Sequence, residues 1–278
     1  MAARRRRAAR ARRRHSGSDL GGRVLAALPA IAFAIFIVYE GGIIFTLALI
    51  ALGWVCLHEL YGMLEPVGPV RLAGFLGLAG LLLAANYGDQ FQVLLVLVAI
   101  VPVLFWLTLN TTRMSHPTLG MAVTLLGIYW IGLALAHAVL LRGTPHGDGI
   151  VYNVLVGTFV GDTGAYFFGR WFGTRPLAPR LSPSKTVEGL FGGMVCALFA
   201  TWAAGWYQDW LSGKDALILG VGVALAGPVG DLFESLIKRD VGAKDTGRLF
   251  GAHGGALDRL DAVFFTAVAS YYVWSALS

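Results

Sequence analysis

Charged residues are scarce in this sequence of 278 residues. Asp, Glu, Lys and Arg make up 14% of it, whereas soluble domains carry about 25%. Hydrophobic residues make up 56% and occur in long blocks separated by short polar segments. This composition excludes an ordinary soluble domain, and strand-like alternation of apolar and polar residues is absent. We therefore expect an all-α integral membrane protein, because helices satisfy their own backbone hydrogen bonds in lipid.

Cysteine is also rare, with two residues, Cys56 and Cys196. They lie far apart in apolar blocks, with no C-x-x-C pair and no His at ligand spacing, so we expect neither a disulfide nor a zinc site. The sequence has no G-x-x-x-x-G-K-[ST] phosphate loop, and His58-Glu59 lacks the second His of a zinc-binding helix. These absences argue against a P-loop enzyme and a helix-based zinc protease.

Nine apolar blocks predict about nine transmembrane helices. The blocks lie near residues 24–39, 43–57, 72–86, 92–109, 119–141, 150–169, 189–211, 216–237 and 262–277. The first two are shorter than the roughly 20 residues of a perpendicular span, so a re-entrant hairpin is an alternative for them. With a cytosolic N-terminus, all but Arg142 and Lys214 of the 22 Lys and Arg residues fall on the cytosolic side. This distribution predicts a multi-pass protein of the cell (inner) membrane with its N-terminus and its active site toward the cytosol.

Three regions follow from the distribution of charge. Residues 1–22 are expected to form a disordered, basic cytosolic tail that contacts anionic lipids rather than nucleic acid. Residues 23–141 are expected to form an N-terminal transmembrane scaffold. Residues 142–278 are expected to form a catalytic transmembrane region with cytosolic loops, because there the charged residues abut the helices. Ionisable residues at membrane depth cost several kcal/mol unless they are paired or face a polar cavity, so each is a functional candidate.

The densest charged cluster lies between Asp231 and Asp261. One face of the predicted eighth helix carries residues spaced i, i+3, i+4 and i+7: Asp231, Glu234, Ser235 and Lys238. The last helix starts with Asp258 and Asp261 on one side, where the helix dipole favours acidic groups. Among the glycines between these helices lie three potential phosphate donors: Lys244, Arg248 and His253. This combination is suited to Mg²⁺-assisted phosphoryl or nucleotidyl transfer.

Two smaller clusters precede this one. Asp162 lies within a ridge of small residues at four-residue spacing: Gly157, Gly161, Ala165, Gly169 and Gly173. The ridge predicts close helix packing, either inside the chain or in a homodimer, but it does not explain Asp162, which needs substrate or a lysine as partner. Ser182 and Pro183 are predicted to be the N-cap and first residue of a helix. With Lys185 and Thr186 they would form a helix N-terminus suited to anions.

These residues closely resemble the signature of phosphatidate cytidylyltransferases, the CDP-diacylglycerol synthases. The similar segments read S-L-I-K-R at 235–239, K-D-T-G at 244–247 and G-A-H-G-G-A-L-D-R-L-D at 251–261. The S-P-x-K-T-x-E-G segment at 182–189 and the G-D-x-x-A-Y-x-x-G-R segment at 161–170 also resemble that family. Ala256 departs from the family pattern, where a larger apolar residue is usual, and Ser184 stands where a second lysine is common. The resemblance covers the chain from about residue 155 to its end.

The resemblance implies that CTP and phosphatidic acid react in a Mg²⁺-dependent step, giving CDP-diacylglycerol and pyrophosphate for phospholipid biosynthesis. The lipid phosphate would attack the α-phosphorus of CTP directly, without a protein nucleophile. By the same resemblance Asp231 and Asp258 are expected to be metal ligands. The expected catalytic residues are Asp231, Asp258, Lys238, Lys244 and Asp261. The expected substrate-binding residues are Asp162, Ser182, Lys185, Thr186, Ser235, Arg239, Arg248, His253 and Arg259.

Several points stay open at the level of the sequence. A monovalent cation is a second candidate ion beside Mg²⁺, and the spacing does not tell which basic residue holds CTP and which holds the lipid phosphate. A CTP-dependent lipid kinase or polyprenol-type transferase would move the γ-phosphate instead of CMP. A transporter would use Asp162 and Asp231 as ion sites. The expected partners are CTP, phosphatidic acid and membrane lipids, with no nucleic acid.

Overall fold

The computed structural model of the protein describes residues 28–110, 116–247 and 254–278. The basic tail predicted for residues 1–22 lies outside these ranges, and so do Arg248 and His253. Helix α1, Leu28–Glu40, belongs to a first unit that ends at Glu40. All further elements belong to the second unit, Gly41–Ser278.

The described part of the second unit is built almost entirely from α-helices. They are α2 Gly42–Met63, α3 Arg71–Tyr87, α4 Gln90–Leu109, α5 Pro117–Gly127, α6 Leu133–Gly143, α7 Gly147–Phe172, α8 Val187–Ala204, α9 Gly213–Asp240 and α10 Leu257–Leu277. A π-helical turn, Ile128–Gly132, joins α5 to α6, so that the two form one continuous apolar stretch.

Six helical stretches are long and apolar enough to cross a membrane. They are Gly42–Met63, Gln90–Leu109, Pro117–Gly143, Val187–Ala204, Gly213–Asp240 and Leu257–Leu277. Every predicted apolar block overlaps a helix of the described residues, which confirms a helical, multi-pass membrane protein. Helices α1 and α3 are apolar but shorter. Length and composition therefore support six spans, and the prediction of nine remains a prediction.

Local capping explains where two of the long helices begin. The Asp89 carboxylate accepts from the Phe91 amide at 2.7 Å, and Gln92 accepts from the Asp89 amide at 2.9 Å, which completes a capping box for α4. Ser212 caps α9 by accepting from the Asp215 amide at 3.1 Å. Helix α9 then continues past Lys238, as the i, i+3, i+4, i+7 pattern requires.

The ridge of small residues on α7 packs inside the chain. A Cβ atom added to Gly161 would lie 2.9 Å from Ala197 Cβ on α8, and one added to Gly193 of α8 would lie 2.7 Å from Ala165 Cβ. Glycine at these positions lets the two helix backbones approach closely. The ridge therefore serves internal packing, and it gives no support to a homodimer.

A short β-hairpin corrects the prediction for Ser182. Strand β1, Pro176–Ala178, pairs antiparallel with strand β2, Ser182–Thr186. Ser182 and Pro183 are therefore extended residues, and the prediction that they begin a helix is wrong. The N-cap of α8 is Thr186, whose hydroxyl accepts from the Gly189 amide at 3.1 Å. Strand pairing satisfies the backbone before Thr186, so the helix starts later than the Ser-Pro pair suggested.

The end of α2 is fixed by a buried tyrosine. The Tyr61 hydroxyl donates to the Thr124 carbonyl at 2.9 Å, and the side chain has no exposed area. A Cβ atom added to Gly127 would lie 2.6 Å from the Tyr61 hydroxyl oxygen, so glycine leaves room for the ring. This contact holds the last turns of α2, which carry Glu59, against α5.

Candidate active site

A cavity of about 500 Å³ opens between α7, α8, α9 and α10 beside the β-hairpin. Small and apolar residues form one part of its wall, among them Gly193, Ala197 and Pro228. Polar residues form the other part. Six of the residues predicted from the sequence line it: Asp162, Lys185, Thr186, Asp231, Asp258 and Asp261. Helix packing thus brings together residues from all three sequence clusters.

Lys185 and Asp231 form an ion pair across the cavity wall. Lys185 comes from the end of β2, and Asp231 comes from the middle of α9. Their side chains are 24% and 38% exposed, and the Lys185 Nζ atom itself is buried. A carboxylate within the membrane-spanning length of α9 requires a partner of this kind or a polar cavity, and here it has both.

Asp258 is the most extensively bonded carboxylate of the site. Its Oδ1 accepts from the Lys238 ammonium at 2.8 Å. Its Oδ2 accepts from the amide and the hydroxyl of Thr246 at 3.0 and 2.9 Å and from the Gly255 amide at 2.7 Å. Gly254, with φ of 82°, adopts the left-handed backbone conformation, which lets the following Gly255 amide reach Asp258. Asp258 therefore ties α9, the residues before α10 and α10 itself together.

Lys238 joins this arrangement to a second buried carboxylate. Its ammonium donates to Glu234 Oε2 at 2.6 Å, one helical turn earlier on α9. Glu234 is 2% exposed, and its Oε1 has no hydrogen bond from the described residues. The Lys238 ammonium is thus engaged by two carboxylates, which satisfies the requirement that buried charges be paired.

Asp162 and Asp261 complete the acidic side of the cavity. Asp261 is buried, and its Oδ1 accepts from the Ala262 amide at 2.8 Å. Asp162 lies on α7 at the same cavity, which Lys185 also lines, but the ion pair of Lys185 is with Asp231. Two further lining residues, Tyr166 and Arg170, were not singled out from the sequence. The Arg170 guanidinium donates to the Tyr166 hydroxyl at 2.9 Å. Their one sequence signal is their place in the segment at 161–170.

Other predicted site residues do not line the cavity. Arg239 donates through Nε to the Leu181 carbonyl at 2.9 Å and so links α9 to the turn of the hairpin. Ser182 is buried in β2, and Lys244 is exposed after α9. Six predicted residues of the described ranges lie outside the lining: Ser182, Ser235, Lys238, Arg239, Lys244 and Arg259. Lys238 is hydrogen-bonded to the lining residue Asp258.

Glu59 on α2, which the sequence did not single out, also reaches this site. Its carboxylate accepts from the Ala256 amide at 3.1 Å, the Leu257 amide at 2.9 Å and the Thr246 hydroxyl at 3.3 Å. His58-Glu59 lacks the pattern of a zinc helix, so this pattern gives Glu59 no metal-binding role. The one available signal was an ionisable residue within an apolar block.

The oxygen donors of the cavity fit a magnesium ion. Among the residues that the structure describes, no group of three His, Cys, Asp or Glu is arranged to hold a metal by itself. Mg²⁺ is usually held by one or two carboxylates, with substrate phosphates and water supplying the other ligands. Asp231 and Asp258 line one cavity with Asp162 and Asp261, which is the donor set that this mode of binding needs.

Comparison with known proteins matches this chain to one family. The model of the cytidylyltransferase family matches residues 21–277. A phosphatidate cytidylyltransferase of Staphylococcus epidermidis is 31% identical over 256 residues, which cover 87% of this chain and 94% of that protein. One from Staphylococcus aureus is 32% identical over 251 residues, with the same two coverages of 87% and 94%.

Mycobacterial relatives are matched over a shorter part. A phosphatidate cytidylyltransferase of Mycobacterium bovis is 33% identical over 192 residues, and the match spans 62% of its length. The corresponding share is 58% for the Mycobacterium tuberculosis proteins. The staphylococcal matches, in contrast, extend over nearly the whole of both chains.

Proposed function

This chain belongs to the cytidylyltransferase family, and from that premise we propose that it transfers CMP from CTP to phosphatidic acid. The products are CDP-diacylglycerol and pyrophosphate, which makes the protein an enzyme of phospholipid biosynthesis. The names of the staphylococcal relatives support this proposal. The transferase class and the lipid substrate both agree with an active site built into apolar helices.

One structural observation carries the proposal. A single cavity joins the Lys185–Asp231 ion pair to Asp258, and Lys185 and Asp258 come from two separate segments that resemble the family. The polar wall offers carboxylates for a metal ion and the Lys185 ammonium for the phosphates. The wall around Ala197 and Pro228 is apolar. A nucleotide and a lipid headgroup need this combination of surfaces.

In the proposed reaction, a phosphate oxygen of phosphatidic acid forms a bond to the α-phosphorus of CTP. The bond between the α-phosphorus and the bridging oxygen breaks, and pyrophosphate leaves with that electron pair. The protein then contributes positioning and charge stabilisation rather than a nucleophile. In this reaction the Lys185 ammonium would turn from Asp231 to a substrate phosphate, and the N-terminus of α8, two residues later, favours anions.

The proposed cofactor is Mg²⁺, held by Asp231 and Asp258 with Asp261 as a supporting carboxylate. When bound, it would neutralise charge on the phosphates of CTP. Asp258 is held in place by Lys238, Thr246 and Gly255, so its orientation does not depend on the ion. A monovalent cation remains a second candidate for the same acidic cavity.

The experiment follows cytidine-labelled CTP into extractable lipid with the purified full chain. Phosphatidic acid and Mg²⁺ are each added or omitted, and Asp258→Asn is compared with Asp209→Asn, an exposed residue between α8 and α9. Label should enter lipid only with both additions, and Asp258→Asn should lower the rate by about 100-fold. Transfer of the γ-phosphate instead of cytidine would replace this proposal with the lipid kinase. Solute uptake by sealed vesicles without nucleotide chemistry would replace it with the transporter.

We further propose nine spans in the cell (inner) membrane, with the N-terminus and the cavity mouth toward the cytosol. The distribution of Lys and Arg supports this orientation, because Arg142 and Lys214 are the two that fall on the outer side. Single cysteines at Lys214 and at Arg175, introduced after replacing Cys56 and Cys196, should react with an impermeant reagent from opposite sides. Reaction of both from the same side would contradict the orientation.

A further inference from the structure

Glu59 reaches the active site from residues 23–141, the region that the sequence predicts to be a scaffold. It is 9% exposed, and three donors reach its carboxylate. The Ala256 and Leu257 amides, 197 and 198 residues away in sequence, donate at 3.1 and 2.9 Å. The third is the Thr246 hydroxyl, whose single hydrogen is shared between Glu59 Oε2 at 3.3 Å and Asp258 Oδ2 at 2.9 Å. Glu59 and Asp258 therefore share one hydrogen-bond network.

Two glycines leave the space that this carboxylate occupies. A Cβ atom added to Gly247 or to Gly255 would contact Glu59 before any other side chain or backbone group. The three nearest atoms at both positions belong to the Glu59 carboxylate and its neighbouring carbon atoms. Gly247 and Gly255 thus lack a side chain where one would collide with Glu59.

Helix electrostatics explain why the carboxylate lies there. Glu59 is close to the C-terminal end of α2, where the helix dipole disfavours an acidic side chain. Leu257 is the first residue of α10, where free backbone N–H groups favour a negative charge. The carboxylate therefore gains its stabilisation from α10 rather than from its own helix.

We propose that Glu59 is a positioning residue, which holds Thr246 and the first turn of α10 so that Asp258 faces the cavity. This inference rests on the proposed function of that cavity. Glu59 does not line the cavity itself, so it acts through Thr246 and the α10 backbone. The N-terminal half of the chain thereby contributes to the geometry of the active site.

The test compares Glu59→Gln with wild type in the purified full chain. Glutamine has one acceptor oxygen, and its NH₂ group would face the Ala256 or Leu257 amide. We expect kcat to fall by about 10- to 100-fold and the Mg²⁺ concentration for half-maximal activity to rise. Without nucleotide or Mg²⁺, hydrogen exchange should become faster in peptides that contain Thr246 and residues 255–258 and stay unchanged elsewhere.

Glu65→Gln is the matched control, because Glu65 is 64% exposed and pairs with Arg71 outside this network. It should leave kcat and exchange unchanged. A kcat of Glu59→Gln within twofold of wild type, or unchanged exchange at residues 255–258, would overturn the inference. If Glu59→Gln does not fold, Gly247→Ala displaces the carboxylate without removing it. Its kcat and its hydrogen exchange at residues 255–258 then test the inference by the same criteria. If wild type makes no CDP-lipid, the proposed function fails, while the exchange measurement still tests the role of Glu59.

Discussion

The ammonium group of Lys238 on α9 donates a 2.8 Å hydrogen bond to Asp258 on α10, 20 residues later in the sequence. The same ammonium donates to Glu234 at 2.6 Å. Two helices that both lie at the cavity are therefore joined by one cation between two carboxylates. Removing this cation should therefore lower the free energy of unfolding, which can be measured separately from activity.

Replacing Lys238 with Met should destabilise the protein strongly. The Lys238 side chain is 16% exposed, and its removal would leave Glu234 and Asp258 without their cation. Loss of one partner from a buried pair typically costs about 3–5 kcal/mol. The free energy of unfolding in detergent would measure this loss. Lys214→Met, at an exposed site in the first turn of α9, is the control and should change it by less than about 0.5 kcal/mol.

The Lys185–Asp231 pair should show strong coupling in a double-mutant cycle. Lys185→Met and Asp231→Asn should each reduce the rate of CDP-lipid formation, because each removes a group that lines the cavity. Since the two side chains form an ion pair, their effects should depart from additivity by about 0.5–3 kcal/mol. Rates of the four proteins under one set of conditions provide the measurement. Simple additivity would show that the pair does not act together in the reaction.

The position of the β-hairpin should depend on Glu188. Its carboxylate accepts from the amide and hydroxyl of Thr174 at 3.0 and 2.9 Å and from the amide and Nε of Arg175 at 3.2 and 3.1 Å. Glu188→Ala should free the start of the hairpin and displace Lys185, lowering kcat/KM on the order of 10-fold. Steady-state kinetics would measure the change. Asp148→Ala, an exposed acidic residue in the first turn of α7, should leave kcat/KM unaltered.

Close packing between α7 and α8 should make Gly164 sensitive to a single added methyl group. In Gly164→Ala the new Cβ would lie 2.6 Å from Cys196 Cβ and Sγ, so the helices must separate. Overpacking of this kind costs about 1–3 kcal/mol. Thermal or chemical unfolding would detect it. Gly62→Ala, with no atom within 4 Å of the added Cβ, should be neutral or stabilising. Equal stability of both variants would contradict this packing.

Much of the helical architecture and of the cavity was predictable from the sequence. The apolar blocks have the length and composition of membrane-crossing helices, and the polar spacing from Asp231 to Lys238 correctly placed these residues on one continuing helix. Six predicted residues meet at the cavity. The Ser182 prediction was wrong because a cap depends on whether the preceding backbone pairs elsewhere, and here it pairs with β1.

The sequence by itself determined the class of the protein, the helices and the residues that resemble one family, because apolar length and local spacing act over short stretches of chain. Only the tertiary structure decided that Lys185 pairs with Asp231, that the small-residue ridge of α7 packs on α8, and that Glu59 holds the start of α10. These contacts join residues far apart in sequence. They exist because each buried charge or polar backbone group must find a partner wherever helix packing brings one within reach.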